Sequence, residues 1–597
     1  MTEASPRHRL VSIRIAASGA RAAAVRFPGA LAAALVAAAL LIIAIHKRET
    51  SELLLRVTSV AALGVAWLFA LELMAERARV TRRTSLAIHA GAILALVGYS
   101  WLTRDDTTVT YATRTAQLAL ALHLSCAFAA FVGRVEPNGF WQFNQRLFVR
   151  FFESALWGGV LFAGLAIALW SLTALFEVRI PRGVFLDLAV VSQFVVQTWR
   201  FLAVVPRPLD ELEHDRTYPN GLRVFTQYLL VPLALLYGII LYAYVARILV
   251  FWSWPAGVVG WLISGASIFG MTTLLFLHPA RDRPEARWVR TYGRWFYPAM
   301  LPLLAVLFVA LAFRVRQYGV TERRYFLGAL GVWLLGVAVY YIVTRSRNLV
   351  MIPVSLCAVA LVTTFGPWGA YRTSEHSQQR RLAGMLERNG LLVGGKTVPA
   401  SRPVAWTDQR EISRTLEYLI EHHGPSAVTR WFAPVAPPVT ATAQRDAGRI
   451  VPASLMSQLG LTYVWPWETA VTRHYVRDRD QEAFDVSGFD RLVEISLPGI
   501  VVFTIDDVAY SARLDTRTAT LHIARGSETL VRVPFDALFA GLAAHSGRTA
   551  PSGLMTLHAE AHGVRVKVLV RNLTIHRSGD GRPETVYGSA LLCLGMR

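Results

Sequence analysis

The sequence predicts a bundle of about eleven transmembrane helices followed by a soluble α+β region with a mostly antiparallel sheet. Hydrophobic residues make up 54% of the 597-residue chain, and its mean hydropathy is +0.40. One water-soluble core does not need that much apolar surface. Uncharged runs such as residues 224–246, bracketed by Arg223 and Arg247, are long enough as helices to cross the hydrocarbon layer. Beyond about residue 484, apolar and polar residues alternate, which is typical of strands.

The chain begins with a basic segment, residues 1–27, which we expect to be cytoplasmic, and the predicted transmembrane domain covers residues 28–366. Apolar runs of roughly membrane length follow one another through this domain. The predicted spans are residues 28–45, 54–73, 86–102, 116–132, 155–176, 184–205, 224–246, 256–277, 296–313, 326–343 and 349–365.

The sixth predicted span, residues 184–205, decides the topology because it contains the polar residues Gln193, Gln197 and Arg200. If it crosses, the loops on the N-terminal side carry twice as many Lys and Arg residues as the opposite loops. If it does not cross, the loops on the two sides carry equal numbers of Lys and Arg residues. The arginines within residues 314–324 fall on the less basic side and oppose an eleven-span topology. The overall bias still favours eleven spans, a cytoplasmic N-terminus and an extracytoplasmic C-terminal domain.

After the last span the composition becomes more polar, and two further regions are predicted. Residues 367–483 form a helical connector, in which Gly390 and Gly424 end the two predicted helices. Residues 484–597 form a β-rich domain of short strands separated by turn residues.

Charge and cysteine content exclude several classes of protein. Most of the +21 net charge lies in residues 1–369, beside the predicted spans, where cytoplasmic loops and anionic lipid headgroups account for it. We therefore expect a bilayer with anionic headgroups as a partner, and no nucleic acid. Cys126 and Cys357 lie in apolar runs and Cys593 is alone in the tail, so no disulfide framework or thiolate metal cluster is predicted.

A polar stripe inside the sixth span is the first candidate site. Gln193, Gln197 and Arg200 recur at i, i+4 and i+7, which places them on one helix face. A charged side chain at the centre of a membrane helix costs at least about 2.5 kcal/mol, so this face should meet protein or water. It is either a solute pathway or internal polar site, or a set of interhelical hydrogen bonds with Arg200 reaching the interface.

A polar loop between the ninth and tenth spans is the second candidate. Gln317, Tyr318, Glu322 and Arg324 lie close together there and are candidates to close over a substrate. The simpler interpretation is that Glu322 pairs with a neighbouring arginine and that the tyrosines anchor the interface.

Four histidines have structural interpretations. His89 and His123 each stand alone in a predicted span, where a packed, hydrogen-bonded ring is the more common arrangement. His422 and His423 end a predicted helix, where they complement the helix dipole.

Two sequence motifs resemble known ligand-binding motifs, but their neighbouring residues do not suit that role. Residues 390–397 match the phosphate-loop pattern, yet a helix precedes them and Pro399 follows, so we predict a glycine-rich turn. His474, Asp478 and Asp480 resemble a metal or sugar-nucleotide cluster, although their arginine neighbours would repel a cation. We predict no catalytic, cofactor-binding or metal-binding residue.

Several long phrases resemble a bacterial membrane family catalogued as domain of unknown function 4153, over about residues 28–430. These phrases are FWQFNQRLFVRF (140–151), LFAGLAIALWSLTALF (161–176), FLAVVPRP (201–208), YPNGLRVFTQYLLVPLALLYGIILYAYVARI (218–248), RQYGVTERRY (316–325) and FGPWGAY (365–371). The resemblance implies the membrane architecture and the bacterial inner membrane. It implies no activity, cofactor or catalytic residue.

Our leading hypothesis from the sequence is a non-enzymatic envelope protein whose soluble tail senses or binds an envelope protein or component. One alternative is a small-solute transporter with a polar path along the sixth helix. Another is a membrane-bound, lipid-linked transferase, for which Asp478 and Asp480 are the candidate acidic residues.

Overall fold

The computed structural model describes residues 19–47, 51–251, 259–281, 283, 286–346, 348–432, 447–465, 472–478, 486–516, 518–526, 528–545, 549–577 and 583–596. The chain divides into two units. The first is Met1–Arg381 with His422–Gly424, and the second is Leu382–Glu421 with Pro425–Arg597. The predicted boundaries at residues 27, 366 and 483 stay predictions.

Helices build the first unit, as the apolar runs predict. They are α1 (Pro28–His46), α2 (Glu52–Ala78), α3 (Arg82–Leu102), α4 (Thr108–Phe128), α5 (Pro137–Phe176), α6 (Arg182–Val190), α7 (Gln197–Ala203), α8 (Asn220–Phe225), α9 (Val231–Phe251), α10 (Val259–Phe276), α11 (Arg287–Tyr318), α12 (Glu322–Thr344) and α13 (Met351–Thr364). Two π-helical segments, Val191–Val196 and Thr226–Leu230, join α6 to α7 and α8 to α9.

Eight helices in the described residues are long and apolar enough to cross a membrane: α1, α2, α3, α5, the continuous helix Asn220–Phe251, α10, α11 and α12. The fourth, sixth and eleventh predicted spans also overlap helices, but these helices are shorter or more polar. Arg114 lies inside α4, the sixth span has the π segment and its glutamines, and α13 has only 14 residues. The number eleven therefore stays a prediction.

Much of the apolar surface of the first unit faces outward. In α5, Trp157, Ile167 and Trp170 are all well exposed. A water-soluble bundle would bury such a stripe, whereas a lipid-facing helix exposes it. The first turns of α5 are different, because Phe140 and Phe143 are buried.

The second unit contains a helical core and a β-rich part. The helical core includes the end of α14 (Ala370–Arg388), α15 (Trp406–His423) and α16 (Ala447–Gln458). A short hairpin of β1 (Leu392–Val393) and β2 (Lys396–Thr397) follows α14.

Two sheets make up the β-rich part. One has the order β4-β12-β11-β3-β9, with β10 also paired to β11, and the other has the order β5-β6-β7-β8. The strands are β3 (Thr472–Arg477), β4 (Arg491–Leu497), β5 (Ile500–Ile505), β6 (Val508–Asp515), β7 (Thr520–Arg525), β8 (Glu528–Pro534), β9 (Thr549–Ala550), β10 (Thr556–Ala561), β11 (Val564–Arg577) and β12 (Pro583–Met596).

Side chains of both sheets and of helix α17 (Asp536–Ala544) share one apolar core. The strand pairs are antiparallel except β3 with β9. The predicted fold class, apolar helices followed by a β-rich region with mostly antiparallel sheets, is confirmed.

Candidate functional site

The predicted polar face lies where α6 passes through a π segment into α7. A π segment widens the helix locally, changes which side chains share a face, and is frequent at functional sites. Gln193 lies inside this segment and Gln197 directly follows it. Both side chains line one cavity of the first unit.

This cavity has a volume of about 860 Å³, which is within the range of small-molecule sites. Side chains from α2, α4, α5, α7, α10 and α13 line it, and most of them are apolar. None of the described residues that line it is Asp, Glu, Lys or Arg. The polar lining residues are His123, Asn144, Gln145, Gln193, Gln197, Thr198 and Thr272.

The polar side chains that line the cavity differ in whether they already make hydrogen bonds within the protein. The Asn144 amide donates to two backbone carbonyls, at 2.9 and 3.0 Å. His123 Nδ1 donates to the Ala119 carbonyl at 2.8 Å, which leaves Nε2 as an acceptor in the neutral ring. Gln193 and Gln197 make no side-chain hydrogen bond to the described part of the chain, so both amides are available to a ligand.

Arg200, the third member of the predicted face, is set apart from the two glutamines. Its Nη2 donates to Glu153 Oε1 at 2.7 Å, and its guanidinium lies 4.6 Å from the centre of the Trp157 ring. Arg200 does not line the cavity. The structure therefore brings Gln193 and Gln197 together and pairs Arg200 with α5.

The predicted interfacial loop does not form one surface. Gln317 is exposed at the end of α11, and Arg324 Nη1 donates to the Tyr318 carbonyl at 3.2 Å. Glu322 is buried, and its Oε1 lies 3.1 Å from Nε2 of His423. No cavity described for the first unit includes these residues.

Sequence reasoning missed a second polar group within the predicted spans. Glu72 lies inside the second predicted span, and its Oε1 is 3.6 Å from Nε2 of His89 on α3. The missed signal was the acidic residue itself, because a carboxylate within an apolar run needs a partner. His89 thus faces a carboxylate of the neighbouring helix.

In the second unit the described residues of the two motifs lie in or beside β-strands. Residues 390–397 include the β1–β2 hairpin, as the prediction of a turn requires. His474 Nδ1 lies 2.7 Å from Thr574 Oγ1 across β3 and β11, and the Asp478 amide donates to the Ala550 carbonyl at 2.8 Å. Asp480 lies outside the described residues.

Comparison with protein families assigns the helical part of the chain to a family. The family model described as Domain of unknown function (DUF4153) matches residues 30–397, more than half of the chain. The chain belongs to this family. Membership in DUF4153 confirms the resemblance predicted from the sequence, and the family's description assigns no activity.

Individual relatives of this DUF4153 chain add little about its role. Uncharacterized protein PM1469 of Pasteurella multocida (strain Pm70) is 24% identical to it over 164 residues, which are 27% of this chain and 27% of that protein. No solved structure is significantly similar to the chain. Its function must therefore be argued from its own residues.

Proposed function

We propose that this DUF4153 protein is an integral membrane protein that binds an amphipathic molecule inside its helical bundle. The observation that carries the proposal is the pair of available amides, Gln193 and Gln197, facing an otherwise mostly apolar cavity of about 860 Å³. Apolar pockets with a few placed polar groups are the usual form of a small-molecule site.

The lining also defines the chemical class of the ligand. Because the described lining residues carry no formal charge, a charged ligand group would lose its hydration without gaining a counter-ion. An amide supplies both a donor and an acceptor. The ligand therefore has an apolar body and an uncharged hydrogen-bonding group, as many lipids and hydrophobic metabolites do.

Binding is favoured over transport along the sixth helix. A polar path along that face would continue from Gln197 to Arg200, but Arg200 is occupied by Glu153 on α5. The two amides are consequently a local polar site.

The test is to identify what co-purifies with the full-length protein in a mild detergent, by extraction and mass spectrometry. A double variant, Gln193→Leu with Gln197→Leu, keeps the side-chain volume and removes the hydrogen bonds. Gln227→Leu is the matched control, since Gln227 lies in the other π segment and does not line the cavity.

We expect one amphipathic species to be retained by the wild type and by Gln227→Leu. Losing two net hydrogen bonds of about 1 kcal/mol each should lower its affinity in the double variant by about thirtyfold. Equal occupancy in all three proteins, or no bound species in the wild type, would contradict the proposal.

For the tail, we propose the partner-binding role of our leading sequence hypothesis. It is supported by β5, an edge strand of the four-stranded sheet on which Ile500 and Val502 are 60% and 67% exposed. Exposed apolar edge strands accept an added strand from another chain. In the full-length protein, Val502→Lys should abolish a crosslink to an envelope protein, and an unchanged crosslinking pattern would argue against this site.

We place the protein in the bacterial inner membrane, with a cytoplasmic N-terminus and the tail on the opposite side. The distribution of Lys and Arg between the loops supports this orientation. Anionic headgroups are the expected lipid partners of the basic loops.

A further inference from the structure

A buried carboxylate meets a histidine where α1, α2 and α3 pack together. Glu72 of α2 is 8% exposed, and its Oε1 accepts a hydrogen bond from the Gly29 amide at 2.7 Å. The same oxygen lies 3.6 Å from His89 Nε2. Within the described residues, Glu72 Oε2 and His89 Nε2 have no hydrogen-bond partner.

The close approach of α1 depends on Gly29. A Cβ at this position would lie 2.8 Å from Glu72 Oε1 and 3.3 Å from the His89 ring. A side chain at this position would displace the carboxylate, so glycine favours the close approach of the α1 backbone to both side chains.

The hydrogen bond at the other nitrogen of the imidazole fixes the tautomer of the neutral ring. His89 Nδ1 lies 2.7 Å from the carbonyl oxygen of Ser85, which can only accept, so Nδ1 carries a hydrogen. In the neutral ring, Nε2 then presents a lone pair to Glu72. A carboxylate and a lone pair facing each other are two acceptors that repel.

One added proton reverses this repulsion. If the proton is on Nε2, an imidazolium faces a carboxylate, and if it is on Glu72, a carboxylic acid faces an acceptor nitrogen. Either form supplies the hydrogen that the pair lacks.

The neighbouring arginines pair with other groups and do not neutralise the Glu72 carboxylate. Arg26 donates to Glu76 at 2.8 Å, and Arg207 lies 3.4 Å from the same carboxylate, one turn along α2 from Glu72. Arg26 also donates to the carbonyls of Val205 and Pro206. These arginines are thus engaged away from Glu72.

We propose that Glu72 and His89 form a binding site for a single dissociable proton at the end of the second span. Uptake converts the carboxylate and the neutral imidazole, with one proton from water, into a carboxylate–imidazolium pair or its carboxylic acid equivalent. Neither residue lines the cavity, so the site is independent of the proposed ligand binding. The proton occupancy of this pair therefore depends on pH.

The experiment is infrared difference spectroscopy on the full-length protein in lipid nanodiscs during a pH step. Glu72→Gln keeps an oxygen acceptor for the Gly29 amide and removes the carboxyl group that can bind a proton. Glu76→Gln is the matched control, because Glu76 is on the same helix but pairs with arginines.

We expect the wild type and Glu76→Gln to show the same carboxyl and imidazole bands, titrating together as one group, and Glu72→Gln to lose them. His89→Gln should leave a carboxyl band that titrates without an imidazole band. Identical difference spectra for the wild type and Glu72→Gln would overturn the proposal.

If Glu72→Gln does not fold, isotope labelling of the wild-type protein still tests the proposal. Glutamate carrying ¹³C in its carboxyl group must shift the titrating carboxyl band, and ¹⁵N-histidine must shift the coupled ring band. If neither label shifts a band, the pair does not bind a proton.

Discussion

Gly158 of α5 lies directly against the backbone carbonyl of Ser192 in the π segment, and a Cβ on Gly158 would lie 2.9 Å from that oxygen. The same Cβ would be 3.3 Å from the Gln193 amide oxygen. Because backbone cannot yield as a flexible side chain does, Gly158→Ala should push the π segment away from α5. We expect a loss of about 1–3 kcal/mol in stability, the usual cost of overpacking.

Gly164 provides the control on the same helix. A Cβ there would meet no atom within 4 Å, so Gly164→Ala should only gain helix propensity, up to about 1 kcal/mol. Thermal unfolding of both variants in nanodiscs compares the two positions. A Gly158→Ala protein as stable as Gly164→Ala would show that the π segment does not depend on this contact.

Arg77 at the end of α2 is a buried cation held by two carboxylates. Its side chain is 6% exposed, and it donates to Glu136 at 2.5 Å and also to Asp210. Arg77→Met should lower stability by about 1.5–3 kcal/mol, because it removes two charge-assisted hydrogen bonds from a buried position. The measurement is the midpoint of thermal unfolding of the full-length protein.

Arg79 tests whether burial is the cause. It lies 3.6 Å from the same Asp210, but its side chain is 85% exposed. Since exposed ion pairs contribute little, Arg79→Met should change stability by less than about 1 kcal/mol. Equal losses in both arginine variants would mean that net charge, rather than the buried pairing, stabilises this end of α2.

Asp215, in the connection between α7 and α8, gives the protein an acid-sensitive contact. Hydrogen bonds from Thr217, together with the Arg146 guanidinium and against the effect of partial burial, hold the Asp215 pKa below its ordinary value of 3.8. A carboxylate with a lowered pKa stabilises the folded state above the ordinary value. That stabilisation is lost as the pH falls below 3.8 and through the folded pKa.

Asp215→Asn should therefore reduce stability at neutral pH and make the remaining stability less dependent on pH below about 4. Glu211→Gln, at an exposed position of the same connection, should leave the acid profile of the wild type unchanged. Unfolding midpoints over a pH series measure both variants. A steep acid profile in Asp215→Asn would assign the sensitivity to other groups.

Periodicity along one helix predicts a shared face but not the partners across it. Gln193 and Gln197, which the spacing places on one helix face, both line one cavity in the structure. Arg200 has the right spacing and leaves the group, because Glu153 is 47 positions away in the chain and lies on a different helix. That pairing is a tertiary contact, which no local pattern contains.

The same reasoning explains why Glu72 and His89 were missed as a pair. Each lies in a different predicted span, and only the packing of α2 against α3 joins them. Context predicted the turn at residues 390–397, because the flanking residues are themselves local. The local sequence therefore predicts the turn, but it does not predict which residues meet between helices.

The side of the membrane on which the tail lies depends on whether α6, the π segment and α7 cross the bilayer together. These 22 continuous helical residues, Arg182–Ala203, are long enough to do so at about 1.5 Å per residue. Reporters inserted after Glu177 and after Glu211 should therefore be active on opposite sides of the membrane. A reporter at the C-terminus should be active outside the cytoplasm, on the same side as the Glu177 reporter. If the reporters after Glu177 and Glu211 report the same side, the helix lies within one leaflet, the positive-inside bias disappears, and the tail faces the cytoplasm.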